Sequence, residues 1–159
     1  MKTLIVYYSR TGTTKKVAEA LKARFANLTI CDIEEIISIK NRQGLIGYLL
    51  SGYEAMREVP AQIKPLTKNP ADYDLIIIGT PVWGYNISSP IRAFLNKNKD
   101  QLKKVAFFAT CGGSGQERTF QRMADVSGLQ PIAMLYFKTA DVVQGKMEEK
   151  INEFTSKLQ

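Results

Sequence analysis

Ser9-Arg10-Thr11-Gly12-Thr13-Thr14 gathers four hydroxyl side chains around one glycine, directly after the apolar run Leu4-Ile5-Val6-Tyr7-Tyr8 and directly before a helical pattern starting at Lys15. The chemistry that suits this set is anion binding. A strand delivers the loop, and the helix that follows begins with unpaired backbone N–H groups and the positive end of its dipole. Ser9, Thr11, Thr13 and Thr14 add hydroxyl donors, and Gly12 lets the backbone come close to a phosphate or take a positive φ. The stretch lacks the Gly-Lys-Ser/Thr ending of a nucleoside-triphosphate loop and the three glycines of a dinucleotide fingerprint, so neither motif applies. On its own it reads equally as an ordinary capped helix start.

Two other stretches carry usable chemistry. Thr80-Pro81-Val82-Trp83-Gly84-Tyr85 offers an indole and a phenol, and Cys111-Gly112-Gly113-Ser114-Gly115 offers bare backbone that a flat ring can approach closely. No side chain is read as catalytic. The 159-residue chain contains no histidine, which excludes a Ser-His-Asp hydrolase and a His-ligated zinc site. Cys31 and Cys111 stand far apart, forming neither a redox pair nor a metal cluster, and read as buried thiols.

The elements that must position these loops follow from periodicity. Leu4–Tyr8, a short run around Leu28–Ile33, Asp74–Gly79, Val105–Ala109 and Ile132–Phe137 are apolar runs of strand length. Helical spacing separates them: Val17, Ala18, Leu21 and Phe25; then Ile91, Phe94 and Leu95; then Phe120 to Val126; then Met147, Ile151, Phe154 and Leu158. Between Ile36 and Pro70 the only periodic element is Gly44 to Arg57, read as one helix in a long connection. Five alternations of strand and helix argue for a doubly wound parallel sheet in one domain, residues 1–159. Such sheets bind ligands beyond the carboxyl ends of their strands, and all three loops stand there.

Composition bounds the rest. With 45% hydrophobic and 23% charged residues the chain is globular, and no apolar run approaches the ~18 residues of a membrane span. The start MKTLIVYYSR carries no signal-peptide cleavage pattern, so a cytoplasmic location is expected. A net charge of +7 is scattered instead of forming a basic stripe with interleaved aromatics, which argues against nucleic acid and for anionic ligands or acidic partners.

Taken together, the three loops after three strands resemble the flavodoxin family over nearly the whole chain. Ser9 to Thr14 resembles its FMN phosphate loop, Gly79 to Tyr85 its second flavin loop, and Cys111 to Gly115 its third. The resemblance implies a three-layer α/β sandwich whose five-stranded parallel sheet has the order 2-1-3-4-5, with helices on both faces. It also implies that Ser9, Thr11, Thr13 and Thr14 hold the phosphate of FMN, that Trp83 packs on or beside the isoalloxazine ring, and that Trp83-Gly84-Tyr85 lies near flavin N5. Two departures bear on function: flavodoxins are usually acidic, whereas this chain has a pI near 9.4, and Gly and Ser stand in the third loop where many flavodoxins place a tyrosine. Two roles follow as expectations: an electron carrier serving a redox partner protein, or an FMN-dependent NAD(P)H:quinone-type oxidoreductase.

Overall fold

Strand-length apolar runs without alternating polar residues must be covered on both faces, and the fold supplies both covers. The computed structural model describes residues 1–158. Its strands are β1 (Lys2–Tyr7), β2 (Ile30–Glu35), β3 (Leu75–Trp83), β4 (Asn86–Ile87), β5 (Val105–Cys111) and β6 (Met134–Lys138). Five of them form a parallel sheet in the order β2-β1-β3-β5-β6, and the two-residue β4 pairs antiparallel with β3 off that path. Setting β4 aside, this is the expected order 2-1-3-4-5 in a sheet of six strands where five were expected.

Period-two alternation divides the core between the faces. Leu4, Val6, Ile76, Ile78 and Phe107 point to one side, where they meet Ile91 and Phe94 of α3 (Ser89–Asn98) and Met123 of α4 (Gln116–Ser127). Ile5, Ile77, Phe108 and Phe137 point to the other, against Val17, Leu21 and Phe25 of α1 (Thr13–Phe25) and Phe154 of α6 (Glu148–Ser156). Two further α-helices are α2 (Gly44–Met56) and α5 (Thr139–Val143).

The departures from the sequence reading concern boundaries. Helix α1 begins at Thr13, not Lys15, because Gly12 at φ 90° turns the chain into it. Strand β3 continues through Thr80, Pro81, Val82 and Trp83 instead of ending at Gly79, because β5 accompanies it as far as the Pro81↔Thr110 pair. The short α5 has too few residues to show a period.

Gly79 sits where β3 passes over the ring of Phe108: a Cβ there would stand 1.9 Å from Phe108 Cζ, and that ring is fully buried. Gly79→Ala should therefore cost about 1–3 kcal/mol by overpacking, read as a lowered urea midpoint at unchanged slope.

Candidate functional site

Parallel pairing fixes where the three loops stand. Strands β1, β3 and β5 are neighbours, and the pairs Tyr7↔Gly79 and Pro81↔Thr110 bring their carboxyl ends level. The stretches 9–14, 80–85 and 111–115 thus meet at one edge of the sheet. Thr14 joins the first of them to the end of β5, from which the third leaves: its hydroxyl is hydrogen-bonded to that of Thr110 at 2.8 Å, and both are buried.

In the first loop, Gly12 N–H donates to Ser9 Oγ at 3.1 Å, closing a tight turn. Lys16 N–H is the first to donate to a backbone carbonyl, that of Gly12, so Thr13, Thr14 and Lys15 stand at the helix start where N–H groups have no intrahelical acceptor. The first turn of α1 carries no acidic residue and no side-chain cap. Thr11 is exposed, and Ser9, Arg10 and Thr13 are partly so. This donor set, at the positive end of a 13-residue helix, fits a phosphate dianion.

The second loop is a turn between two antiparallel strands. Trp83 pairs with Asn86, and the intervening Gly84 and Tyr85 have φ of 54° and 61°, the positive values that two-residue hairpin turns require. For Tyr85 this is a strained conformation for a bulky residue. The residue is 57% exposed. Thr80, by contrast, is completely buried, its hydroxyl committed to Pro81 O and Ser88 Oγ, so its side chain shapes the strand end and has no surface to offer a ligand.

In the third loop Gly112, Gly113 and Ser114 are exposed, while Cys111 is buried. A Cβ at Gly112 or Gly113 would meet nothing within 4 Å, so open space lies beside this backbone. Gly115, at φ 110°, is the point of contact with the second loop: a Cβ there would lie 2.8 Å from Tyr85 Cδ1. A donor-rich loop, a half-buried indole and a bare glycine backbone on one edge together fit a phosphorylated ligand with a planar ring.

Around Trp83 the structure adds residues that the sequence reading did not single out. Tyr8 meets Trp83 edge-on, with ring centroids 5.5 Å apart and planes at 84°. Burial pushes the Tyr8 phenol above its usual range, while the charges of Arg42 and Arg10 pull the other way. Arg42 Cζ lies 5.8 Å from the Trp83 ring centre. Its side chain is 2% exposed and reaches Glu54 Oε2 at 2.6 Å, Ser38 Oγ at 2.9 Å and Ser51 Oγ at 3.4 Å. Ser89 Oγ donates to the same carboxylate oxygen of Glu54 at 2.9 Å, and Lys40 Nζ stands 3.5 Å from the other. Burial alone would raise the Glu54 carboxyl, but the hydrogen bonds from Arg42 and Ser89 and the charges of Arg42 and Lys40 outweigh it and hold the group below the ordinary glutamate range. Nothing in the sequence pairs Arg42 with Glu54, because the two lie on different elements. A groove of about 390 Å³ lies elsewhere, along the open edge of β6, and none of the loop residues named from the sequence lines it.

Comparison with known proteins bears on this site. A model of a family described as NADPH-dependent FMN reductase matches residues 1–149. Among solved structures the chain is similar to a flavoprotein from Lactobacillus acidophilus NCFM in complex with FMN, with 27% identity, TM-score 0.68, and coverage of 90% of this chain and 97% of that one. A protein from Bacteroides eggerthii shares its fold at 23% identity and TM-score 0.73, covering 94% and 97%. So does two-electron reduced Megasphaera elsdenii flavodoxin, at 22% identity and TM-score 0.57, covering 86% and 85%.

Removing the carboxylate at Glu54 leaves a guanidinium buried without its counter-charge. Glu54→Gln should cost about 3–5 kcal/mol at pH 7. Because the folded carboxyl titrates below the unfolded one, the wild-type advantage is complete above the ordinary glutamate range, about 4.3, and is lost as pH falls through the depressed folded value. Urea unfolding of both proteins at pH 7 and pH 3 should show the gap closing at the lower pH.

Proposed function

The chain belongs to the NADPH-dependent FMN reductase family, and from that premise we propose that it is an FMN-dependent oxidoreductase, taking electrons from NAD(P)H and passing them to an acceptor of the quinone type. It is a flavodoxin-like flavoprotein, and FMN is its cofactor. FMN supplies the electron and hydride chemistry when bound. The residues of the chain bind and orient it.

In this reading Ser9, Arg10, Thr11, Gly12, Thr13 and Thr14 hold the phosphate through hydroxyls and the backbone N–H groups at the start of α1. Pro81, Val82, Trp83, Gly84 and Tyr85 support one side of the ring, with Thr80 fixing the strand beneath them. Cys111, Gly112, Gly113, Ser114 and Gly115 pass its other edge. Arg42 acts through Trp83 as a positioning residue, since its guanidinium lies against the indole while Glu54 and Ser38 fix it. The reading takes residues 1–159 as a single FMN-binding domain and keeps the chain in the cytoplasm, where its two free cysteines stay reduced.

The observation that carries the choice of reductase is the third loop. Gly112, Gly113 and Ser114 are exposed and present no aromatic side chain, which leaves room for a second flat substrate beside the ring. A one-electron carrier serving a partner protein is the competing role, and the net charge of +7 would then require an acidic partner.

Anaerobic reduction of the FMN-loaded protein decides between them. Rapid loss of flavin absorbance on adding NADH or NADPH, restored by a soluble quinone, is expected. Reduction in two resolved one-electron steps by a chemical reductant, with no response to either nucleotide, would overturn the reductase reading. For the loop assignment, Gly12→Asp places a negative charge beside the phosphate and should weaken FMN binding by about a hundredfold or more, measured by quenching of flavin fluorescence. Unchanged affinity would sink that assignment.

A further inference from the structure

Helix α2 is built inside out. The residues it buries against the protein are Gly47, Ser51, Glu54 and Ala55, a face of small and polar side chains. The opposite face carries Leu45, Ile46, Leu49, Tyr53 and Met56, with Tyr48 at its flank, exposed to between 58% and 83%. Their spacing of three, four and seven residues sets them in one stripe along the helix. Six large apolar residues, each more than half exposed, thus lie together on one helix face, the kind of contiguous patch that marks an interaction surface. The inversion has a physical cause, because the buried Glu54 is fixed by Arg42 and Ser89 and so dictates which side of the helix turns inward.

Cations border this stripe and carboxylates do not. Arg10 lies 5.3 Å over the Tyr48 ring, Arg57 lies 5.7 Å over the Tyr53 ring, and Lys40 precedes the helix with 56% of its side chain exposed. The only acidic residue in the helix is Glu54, which is buried and paired. Glu58, just past its end, is engaged by Arg92, Arg122 and Asn86. A second copy placed on this face would set cation against cation, between chains that each carry +7, with no carboxylate across the seam to receive them. A convex apolar helix rimmed by tyrosines and cations matches the boundary of an anionic lipid layer, where aliphatic side chains enter the acyl region and Tyr and Arg stay at headgroup level.

We propose that α2 docks this protein on the surface of a membrane rich in anionic lipid. The contact is peripheral: among the described residues no helix is long and apolar enough to cross a membrane. It also lies next to the first and second loops. Met56 packs where a Cβ on Gly84 would fall, 2.9 Å from its Cγ, and Gln43 Nε2 donates to Arg10 O at 3.1 Å. Docking therefore brings the loop edge to the lipid, where an apolar acceptor such as a quinone is dissolved. That last consequence rests on the reductase reading above; the docking itself rests on α2 alone.

The test is sedimentation of the FMN-loaded protein with phosphatidylglycerol–phosphatidylcholine vesicles and with phosphatidylcholine vesicles, at low and high salt, beside light scattering of the protein alone. Binding to the phosphatidylglycerol vesicles only, weakened by salt, is expected. Ile46→Glu/Leu49→Glu should weaken it at least about tenfold, since charged side chains are expelled from the acyl boundary, and Arg57→Gln about fivefold. FMN affinity, read by flavin fluorescence, should be unchanged in both, because the substituted side chains face solvent. Absence of sedimentation, or full sedimentation of the Ile46→Glu/Leu49→Glu protein, would overturn the proposal. So would a dimer in light scattering that this double substitution converts to monomer, which would assign the face to a second copy. Protein sedimentation is read without reference to the flavin, so loss of FMN binding would count against the loop assignment alone.

Discussion

Everything at the loop edge depends on the parallel register of β1, β3 and β5. Parallel strands with both faces covered have no water to satisfy their backbone, so each N–H and C=O must find its neighbour on the adjacent strand. Once Tyr7 stands opposite Gly79, and Pro81 opposite Thr110, the strand ends are level and the loops that leave them converge. Gly79 shows how tight that arrangement is, since the Phe108 ring fills the space a side chain would need. The buried bond between Thr14 and Thr110 then ties the first loop to the end of β5, from which the third loop leaves.

A second constraint is electrostatic and governs the connection between β2 and β3. Glu54 and Arg42 are both almost fully buried, and a buried pair persists only where further hydrogen bonds satisfy both partners. Ser38, Ser51 and Ser89 supply them from three different elements. The pair thereby holds α2 against α3, sets Arg42 on the indole of Trp83, and decides which face of α2 is hidden. One interaction links a shaped site to an exposed apolar surface.

In the proposed reading the chain's influence on the chemistry lies in where it holds the cofactor and what it allows to approach. On that reading the bare third loop leaves room for a planar partner, the excess of basic residues favours anions, and the apolar face of α2 favours a lipid-soluble one.

Much of this was legible in the sequence because it rests on local pattern. Apolar runs and helical spacing identify four of the five sheet strands and most of the helices, with β2 marked only by a short mixed stretch, and hydroxyls before α1, glycines after β5 and the Trp83-Gly84-Tyr85 turn mark the loop edge. The absence of histidine also excluded a Ser-His-Asp hydrolase and a His-ligated zinc site. Boundaries were less accessible, because β3 extends to Trp83 only by virtue of β5 beside it, and β4 exists only because Gly84 and Tyr85 turn the chain back. The buried state of Thr80, the meeting of Arg42 with Glu54, and the outward turn of Leu45, Ile46 and Leu49 were decided by tertiary structure alone. Helical periodicity gives a face of α2 but not its direction. Direction depended on which side of the helix held the charge that another element could neutralise, and that partner lies outside the helix, on the loop that precedes it.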